Sequence, residues 1–190
     1  MFWNLPNSLT MARIILIPVF VGIFYAQPHY ISEHVANVLA TTVFGMAAIT
    51  DWLDGYYARK LNQTSAFGAF LDPVADKLMV VAALIVLVEF NRVGALIAFV
   101  IIGREIAISA LREWMAGIGE RGSVAVATIG KFKTFMQMVA ILFLLYYDPI
   151  LGISTKIIGQ VSICVAVILT LVSMVYYLKV AWPQMNIHKS

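Results

Sequence analysis

Six apolar runs, at 14–26, 35–50, 78–88, 93–103, 134–147 and 157–178, set the limits on how this chain can fold. A helix needs roughly 20 apolar residues to cross hydrocarbon unaided, and only the last run is that long. The others are either re-entrant pieces or parts of longer helices with polar ends, and such ends are tolerated only where they line a protected cavity. The second reading predicts an all-α integral membrane protein with about six transmembrane helices. Composition agrees: 62% of residues are hydrophobic and 12% charged, against about 45–50% and about 25% in soluble domains. A water-soluble globule of 190 residues cannot hide that much apolar surface. The lone Cys164 excludes a disulfide scaffold. A net charge of +3 suits anionic headgroups and excludes nucleic acid as a partner.

The chain reads as one membrane domain, 1–190, with spans near 13–26, 35–60, 66–90, 93–115, 132–147 and 155–179. Residues 1–12 alternate Phe2, Trp3, Leu5, Leu9 and Met11 with Asn4, Asn7, Ser8 and Thr10, as a short interfacial helix does. The first span has signal-like length, but no small-x-small pattern ends it and Phe24 sits where a small residue is wanted, so it reads as retained. Trp3, Trp52, Trp114 and Trp182 fall near span ends. Arg59, Lys60, Lys77, Arg112, Lys131, Lys133 and Lys179 thread to one side, and only Arg92 and Lys156 to the other. The positive-inside rule puts both termini and the polar helix ends in the cytoplasm of a multi-pass protein.

The chemistry concentrates in Asp51-Trp-Leu-Asp54-Gly55-Tyr-Tyr-Ala58-Arg59 and Gly68-Ala-Phe-Leu-Asp72-Pro-Val-Ala-Asp76. On a helix, Asp51, Asp54, Gly55, Ala58 and Arg59 share one arc of roughly 140°. Gly68, Asp72 and Asp76 form a second stripe, and the polar residues at 60–65 supply a turn between the two helices. Each acid at membrane depth costs about 2.5–3.5 kcal/mol. Each like-charge pair near 4 Å adds up to about 4 kcal/mol at an effective dielectric of 20. That total rivals the whole stability of a domain, about 5–15 kcal/mol, so protons or cations must compensate. His29, His34 and His188 are scattered, which leaves an all-oxygen site selecting hard cations, Mg²⁺ first and Mn²⁺ next. Carboxylate-held divalent ions beside small residues, with Arg59 to grip a phosphate, are equipment for phosphoryl transfer. Two readings of Asp72 stand: an N-cap followed by Pro73, or a residue inside a helix that starts near Ser65 and is kinked by Pro73.

The pattern D-x2-D-G-x2-A-R-x8-G-x3-D-x3-D has eight fixed positions, all matched here, and resembles the signature of the CDP-alcohol phosphotransferases. The resemblance implies a six-helix membrane enzyme, a homodimer, with a polar cavity open to the cytoplasm. It implies that Asp51, Asp54, Asp72 and Asp76 hold two divalent cations, that Gly55, Ala58, Arg59 and Gly68 line the CDP moiety together with Asp51, Asp54 and Asp72, and that Asp76 is also the general base.

A second, basic cluster follows, with Arg104 and Arg112 about 80° apart on one helix, then Lys131 and Lys133 at the start of the next span. Arg104 follows an apolar run and lies too deep for an idle surface charge. Arg112 also suits an interfacial anchor, Lys131 and Lys133 suit topology alone, and Glu105 and Glu113 suit pairing with neighbouring arginines. As a binding site the cluster fits an anion, such as an acceptor alcohol that carries phosphate. The segments G-R-E-I, S-A-L-R-E-W and G-K-x-K-T, with an opening N-x-P-N-x-L-T-x-x-R ending at Arg13, resemble the bacterial family members that use sn-glycerol 3-phosphate. This implies CDP-diacylglycerol as donor, with phosphatidylglycerol phosphate and CMP as products. Serine fits the cluster poorly, and inositol phosphate fits its charge equally well. An ion transporter accounts for intramembrane acids but not for the fixed offsets of Gly55, Ala58, Arg59 and Gly68, and no internal repeat supports it. A structural subunit predicts no metal dependence.

Overall fold

The protein was analysed as a computed structural model, which describes residues 5–27, 29–61, 66–117 and 124–187, with side chains over 8–27, 29–51, 71, 73–111, 113–115, 132–179 and 182. Six helices follow in order: α1 Leu5–Tyr25, α2 Glu33–Leu61, α3 Ala66–Glu89, α4 Ala95–Gly117, α5 Val124–Tyr146 and α6 Thr155–Ile187. The described residues contain no strand; one isolated bridge joins Ile150 and Ile153. Two helices are long and apolar enough to cross a membrane, over Ser8–Tyr25 and Thr155–Lys179, and α5 carries a shorter apolar stretch, Phe132–Tyr146.

The helices run past the apolar runs that announce them. The interfacial helix expected over 1–12 is not a separate element: from Leu5 onward it forms the first turns of α1. Pro6 sits in the first turn, where its missing N–H costs nothing, and no helix breaker follows before Pro18. Helix α5 begins at Val124 rather than near 132, and α6 continues to Ile187 rather than stopping near 179. Apolar length reports membrane thickness, whereas the helix itself stops only where a breaker or a cap stops it. Helix α3 starts at Ala66, so Asp72 and Pro73 lie inside it and the N-cap reading of Asp72 falls.

The chain forms two compact units. The first comprises Met1–Arg92 and Leu142–Lys156; the second comprises Val93–Ile141 and Ile157–Ser190.

In the first unit α1 packs against both α2 and α3. The buried positions of α2 with described side chains are Ala36, Asn37, Ala40, Phe44 and Ala47, on one face at helical spacing, and those of α1 are Thr10, Arg13, Phe20 and Phe24. The alanines admit the α1 phenylalanines: Phe20 and Phe44 ring centroids lie 6.3 Å apart, and Phe24 meets Phe90 at 5.1 Å. Ser32 caps α2, its hydroxyl accepting the Val35 N–H at 3.4 Å. Helix α3 ends in a Schellman turn, with Arg92 N bonded to Leu87 O at 2.8 Å and Asn91 in the left-handed region at φ 56°.

That turn delivers Arg92 into the bundle. The guanidinium, 3% exposed, donates to Leu144 O at 3.2 Å, Leu145 O at 2.9 Å, Asn37 Oδ1 at 2.7 Å and Glu33 Oε1 at 3.2 Å. It lies 4.4 Å from the Tyr147 ring centroid. Burial pushes its proton affinity down, against the pull of Glu33, Tyr147 and Asp148, and arginine stays charged. Asn37 in turn donates to Asp148 Oδ2 at 3.3 Å, which also meets His34 Nδ1 at 2.9 Å.

In the second unit the buried positions of α4 are Ala98, Ile101, Arg104, Ile108 and Met115; α5 buries Lys133, Gln137, Ala140 and Ile141, and α6 buries Ser162, Ile163, Ala166, Thr170 and Ser173. Each set is again one face of a helix. The polar members of these faces are therefore directed inward by the same periodicity that buries the apolar ones.

Candidate active site

Continuing the buried stripe of α2 by one turn beyond Ala47 reaches Asp51, on the side that faces α1. There Arg13 of α1, 1% exposed, extends Nη1 to Asp51 Oδ1 at 3.3 Å and, in a closer ion pair, to Oδ1 of Asp76 from α3. The two acids lie 25 positions apart and come from different helices, yet they share one donor nitrogen. Oxygens that both hydrogen-bond one nitrogen lie no more than about 7 Å apart. The carboxylates are 44% and 35% exposed while the guanidinium beneath them is buried. The acids therefore keep open faces, and the arginine forms their floor.

This arrangement fits a hard divalent cation: it offers carboxylate oxygens from two helices around one position, which the Arg13 guanidinium occupies here. The described residues alone do not assemble three acidic, histidine or cysteine ligands. Of the remaining site residues, Asp54, Gly55, Ala58 and Arg59 lie on α2 and Gly68 and Asp72 on α3, but their side chains are outside those described.

Arg13 is the residue whose role sequence reasoning missed. It stood in the opening motif, just before the first apolar run, with no role assigned to it. A cation at the start of such a run, in a chain with acids on other helices, was the available signal.

The second unit holds its own polar cluster. Arg104, 6% exposed, donates from Nη2 to Ser173 Oγ at 2.9 Å and from Nη1 to Glu105 Oε1 at 3.1 Å. Lys133, 1% exposed, makes a close ion pair with the same Glu105 oxygen. The Ser173 hydroxyl in turn donates to Thr170 O at 2.9 Å, and the Arg104 guanidinium lies 5.9 Å from the Tyr177 ring centroid. Glu105 thus pairs with a neighbouring arginine, as its spacing suggested, and with a lysine from another helix. Two buried cations thus converge on one carboxylate oxygen. Arg104 Nε and Gln137 Oε1, both buried, have no partner among the described residues. Arg112 and Lys131 lie on α4 and α5, with side chains outside those described.

Comparison with known proteins decides the family. Residues 3–175 match the CDP-alcohol phosphatidyltransferase family. The chain belongs to that family. Among curated relatives, a Haemophilus influenzae protein named CDP-diacylglycerol–glycerol-3-phosphate 3-phosphatidyltransferase is 48% identical over 184 residues, 95% of each chain. Proteins of the same name from Pseudomonas fluorescens and Salmonella typhimurium are 46% and 47% identical, covering 96% and 95% of this chain and 92% and 96% of their own. Like its relatives in this CDP-alcohol phosphatidyltransferase family, the chain is a membrane-associated transferase, and divalent-cation dependence is typical of the family.

Proposed function

We propose that this chain transfers the phosphatidyl group of CDP-diacylglycerol to sn-glycerol 3-phosphate, giving phosphatidylglycerol phosphate and CMP. The observation that carries the reading is the meeting of Asp51 and Asp76 on one cation position, at two of the eight fixed places of the family signature. Near-complete coverage by relatives named for this reaction supports it.

In this reading Asp51, Asp54, Asp72 and Asp76 hold two divalent cations, Mg²⁺ or Mn²⁺. When bound, the cations neutralise pyrophosphate oxygens and stabilise the departing CMP. Gly55, Ala58 and Gly68 let the nucleotide approach the backbone, and Arg59 grips a phosphate. Asp76 accepts the proton of the acceptor's primary hydroxyl as that oxygen bonds to the lipid-linked phosphorus and the phosphoanhydride bond to CMP breaks. Arg104 and Lys133, with Arg112 and Lys131, hold the acceptor's own phosphate so that its hydroxyl arrives aligned. The convergence of two buried cations at Glu105 and the Arg104 Nε without a partner among the described residues suit an anionic ligand. The enzyme crosses the inner membrane of a bacterium six times, with both termini and the acids on the cytoplasmic side, and acts as a homodimer among membrane lipids.

The test is release of CMP from CDP-diacylglycerol by purified protein, with glycerol 3-phosphate, inositol phosphate, serine and phosphatidylglycerol offered separately, with and without chelator. Metal-dependent release with glycerol 3-phosphate alone is the expected result. Release with another acceptor overturns the acceptor assignment, and no release with any overturns the reaction.

A further inference from the structure

Arg13 has the geometry of a substitute metal. Its buried guanidinium contacts one oxygen of Asp51 and one of Asp76, the two described acids of the proposed cation cage, which reach it from α2 and α3. A guanidinium is permanently charged and fork-shaped, so it can bridge two carboxylates without a proton of theirs. The contacts lie inside the α1–α2–α3 packing of one compact unit, so the arginine is delivered by the fold and not by a passing side-chain rotamer.

We propose that Arg13 is a resident counter-cation: it holds Asp51 and Asp76 together before divalent ions arrive, and it competes with those ions for the same two oxygens. The inference rests on the metal-binding part of the function proposed above. A cation that favours the metal-free state opposes metal binding by the free energy of its own contacts, and linkage makes that opposition measurable from either side. Arg13 is thus a positioning residue that tunes metal affinity and prevents the acids from repelling one another in the empty enzyme. An arginine that merely pinned the helices in place would not change metal affinity in the direction argued here.

The test compares wild type, Arg13→Gln and Arg13→Lys in detergent, reading Mn²⁺ binding by electron paramagnetic resonance and melting temperature with chelator or with Mg²⁺. In Arg13→Gln, Mn²⁺ affinity rises about tenfold, within the usual range of coupling between two competing ligands. The melting temperature falls in chelator and recovers most of the loss in Mg²⁺. Arg13→Lys, which keeps the charge, stays nearer wild type in both readouts. Unchanged or weaker Mn²⁺ binding in Arg13→Gln, with equal destabilisation in both buffers, overturns the proposal. Should Arg13→Gln fail to fold, a structure of the Mn²⁺-loaded wild type decides. Arg13 detached from at least one of the two carboxylates is the expected result, and both contacts intact overturns it. Wild type that binds no Mn²⁺ specifically overturns the metal-binding reading itself, a distinct outcome.

Discussion

Replacing Arg92 by alanine strips the α5 terminus of its main support. Helix α5 ends at Tyr146, so Leu144 O and Leu145 O belong to its last turn and have no intrahelical donor. Arg92 supplies both, and Asn37 Oδ1 as well. A buried acceptor left without a donor costs about 1–3 kcal/mol, and three are orphaned. The charge also opposes the negative end of the α5 dipole, worth about 0.3–1 kcal/mol. The contact with Glu33 adds little, because that carboxylate is 66% exposed. Water from the adjoining loop at 147–154 reaches part of the vacated space, which places the loss at the lower end, about 3–5 kcal/mol.

For a chain of 190 residues each kcal/mol moves the melting temperature by about 2–4 °C, so Arg92→Ala melts about 6–20 °C below wild type. Arg92→Lys keeps the charge but loses the fork that reaches several acceptors at once, and falls roughly halfway. The assay is thermal unfolding in one detergent at one scan rate, since unfolding of such a protein is irreversible and the apparent midpoint depends on that rate. At a temperature where both proteins are folded, Michaelis constants for both substrates are unchanged, because Arg92 meets the Phe24 ring near the end of α1 at 5.6 Å, whereas Asp51 meets Arg13. Melting within about 2 °C of wild type refutes the reasoning, because three orphaned acceptors cannot be that cheap.

Three further outcomes follow from the two polar clusters. Asp76→Asn lowers the turnover rate by at least about 10²-fold, the low end for a general base, while a CDP analogue still binds in a calorimeter; near-normal turnover removes the base assignment. Arg104→Gln raises the Michaelis constant for glycerol 3-phosphate more than that for CDP-diacylglycerol, and an equal rise in both places Arg104 outside the acceptor pocket. Glu105→Gln removes the carboxylate charge that the buried Lys133 and Arg104 share. The variant melts below wild type, and added glycerol 3-phosphate raises its melting temperature more than it does that of wild type; equal ligand-induced shifts refute a shared anion site.

How much of this was legible in the sequence depends on the range of the interaction. Helix existence was legible throughout, because hydrophobic runs and the Asn91–Arg92 and 148–155 breaks are local signals. Helix ends were less so: polar residues such as Lys131 and Lys133 mark where a helix leaves hydrocarbon, and α5 simply carries them within it from Val124. The placement of the acids on α2 and α3 was legible because both stripes repeat at helical spacing. Arg13 was not, since nothing local to α1 says which helix its charge will find. The same holds for Lys133 with Glu105 and Arg104 with Ser173, whose partners lie 28 and 69 positions away.

The contrast between the two buried arginines of the first unit states the design in physical terms. Arg92 meets mostly neutral acceptors, two of them backbone carbonyls, that have no other donor, so its bonds cost nothing to keep and the bundle end it holds stays shut. Arg13 meets two carboxylates that remain over a third exposed on their other faces. Repulsion between two such charges about 6 Å apart runs from about 0.7 kcal/mol in water to about 3 kcal/mol at an effective dielectric of 20. The Arg13 cation offsets that repulsion while both acids stay partly exposed. One end of this unit is thus held by an arginine bonded mostly to neutral acceptors, and the other carries two partly exposed acids around an arginine. In the function proposed above, it is the second condition that leaves a free-energy gain for doubly charged ions and the phosphates they bring.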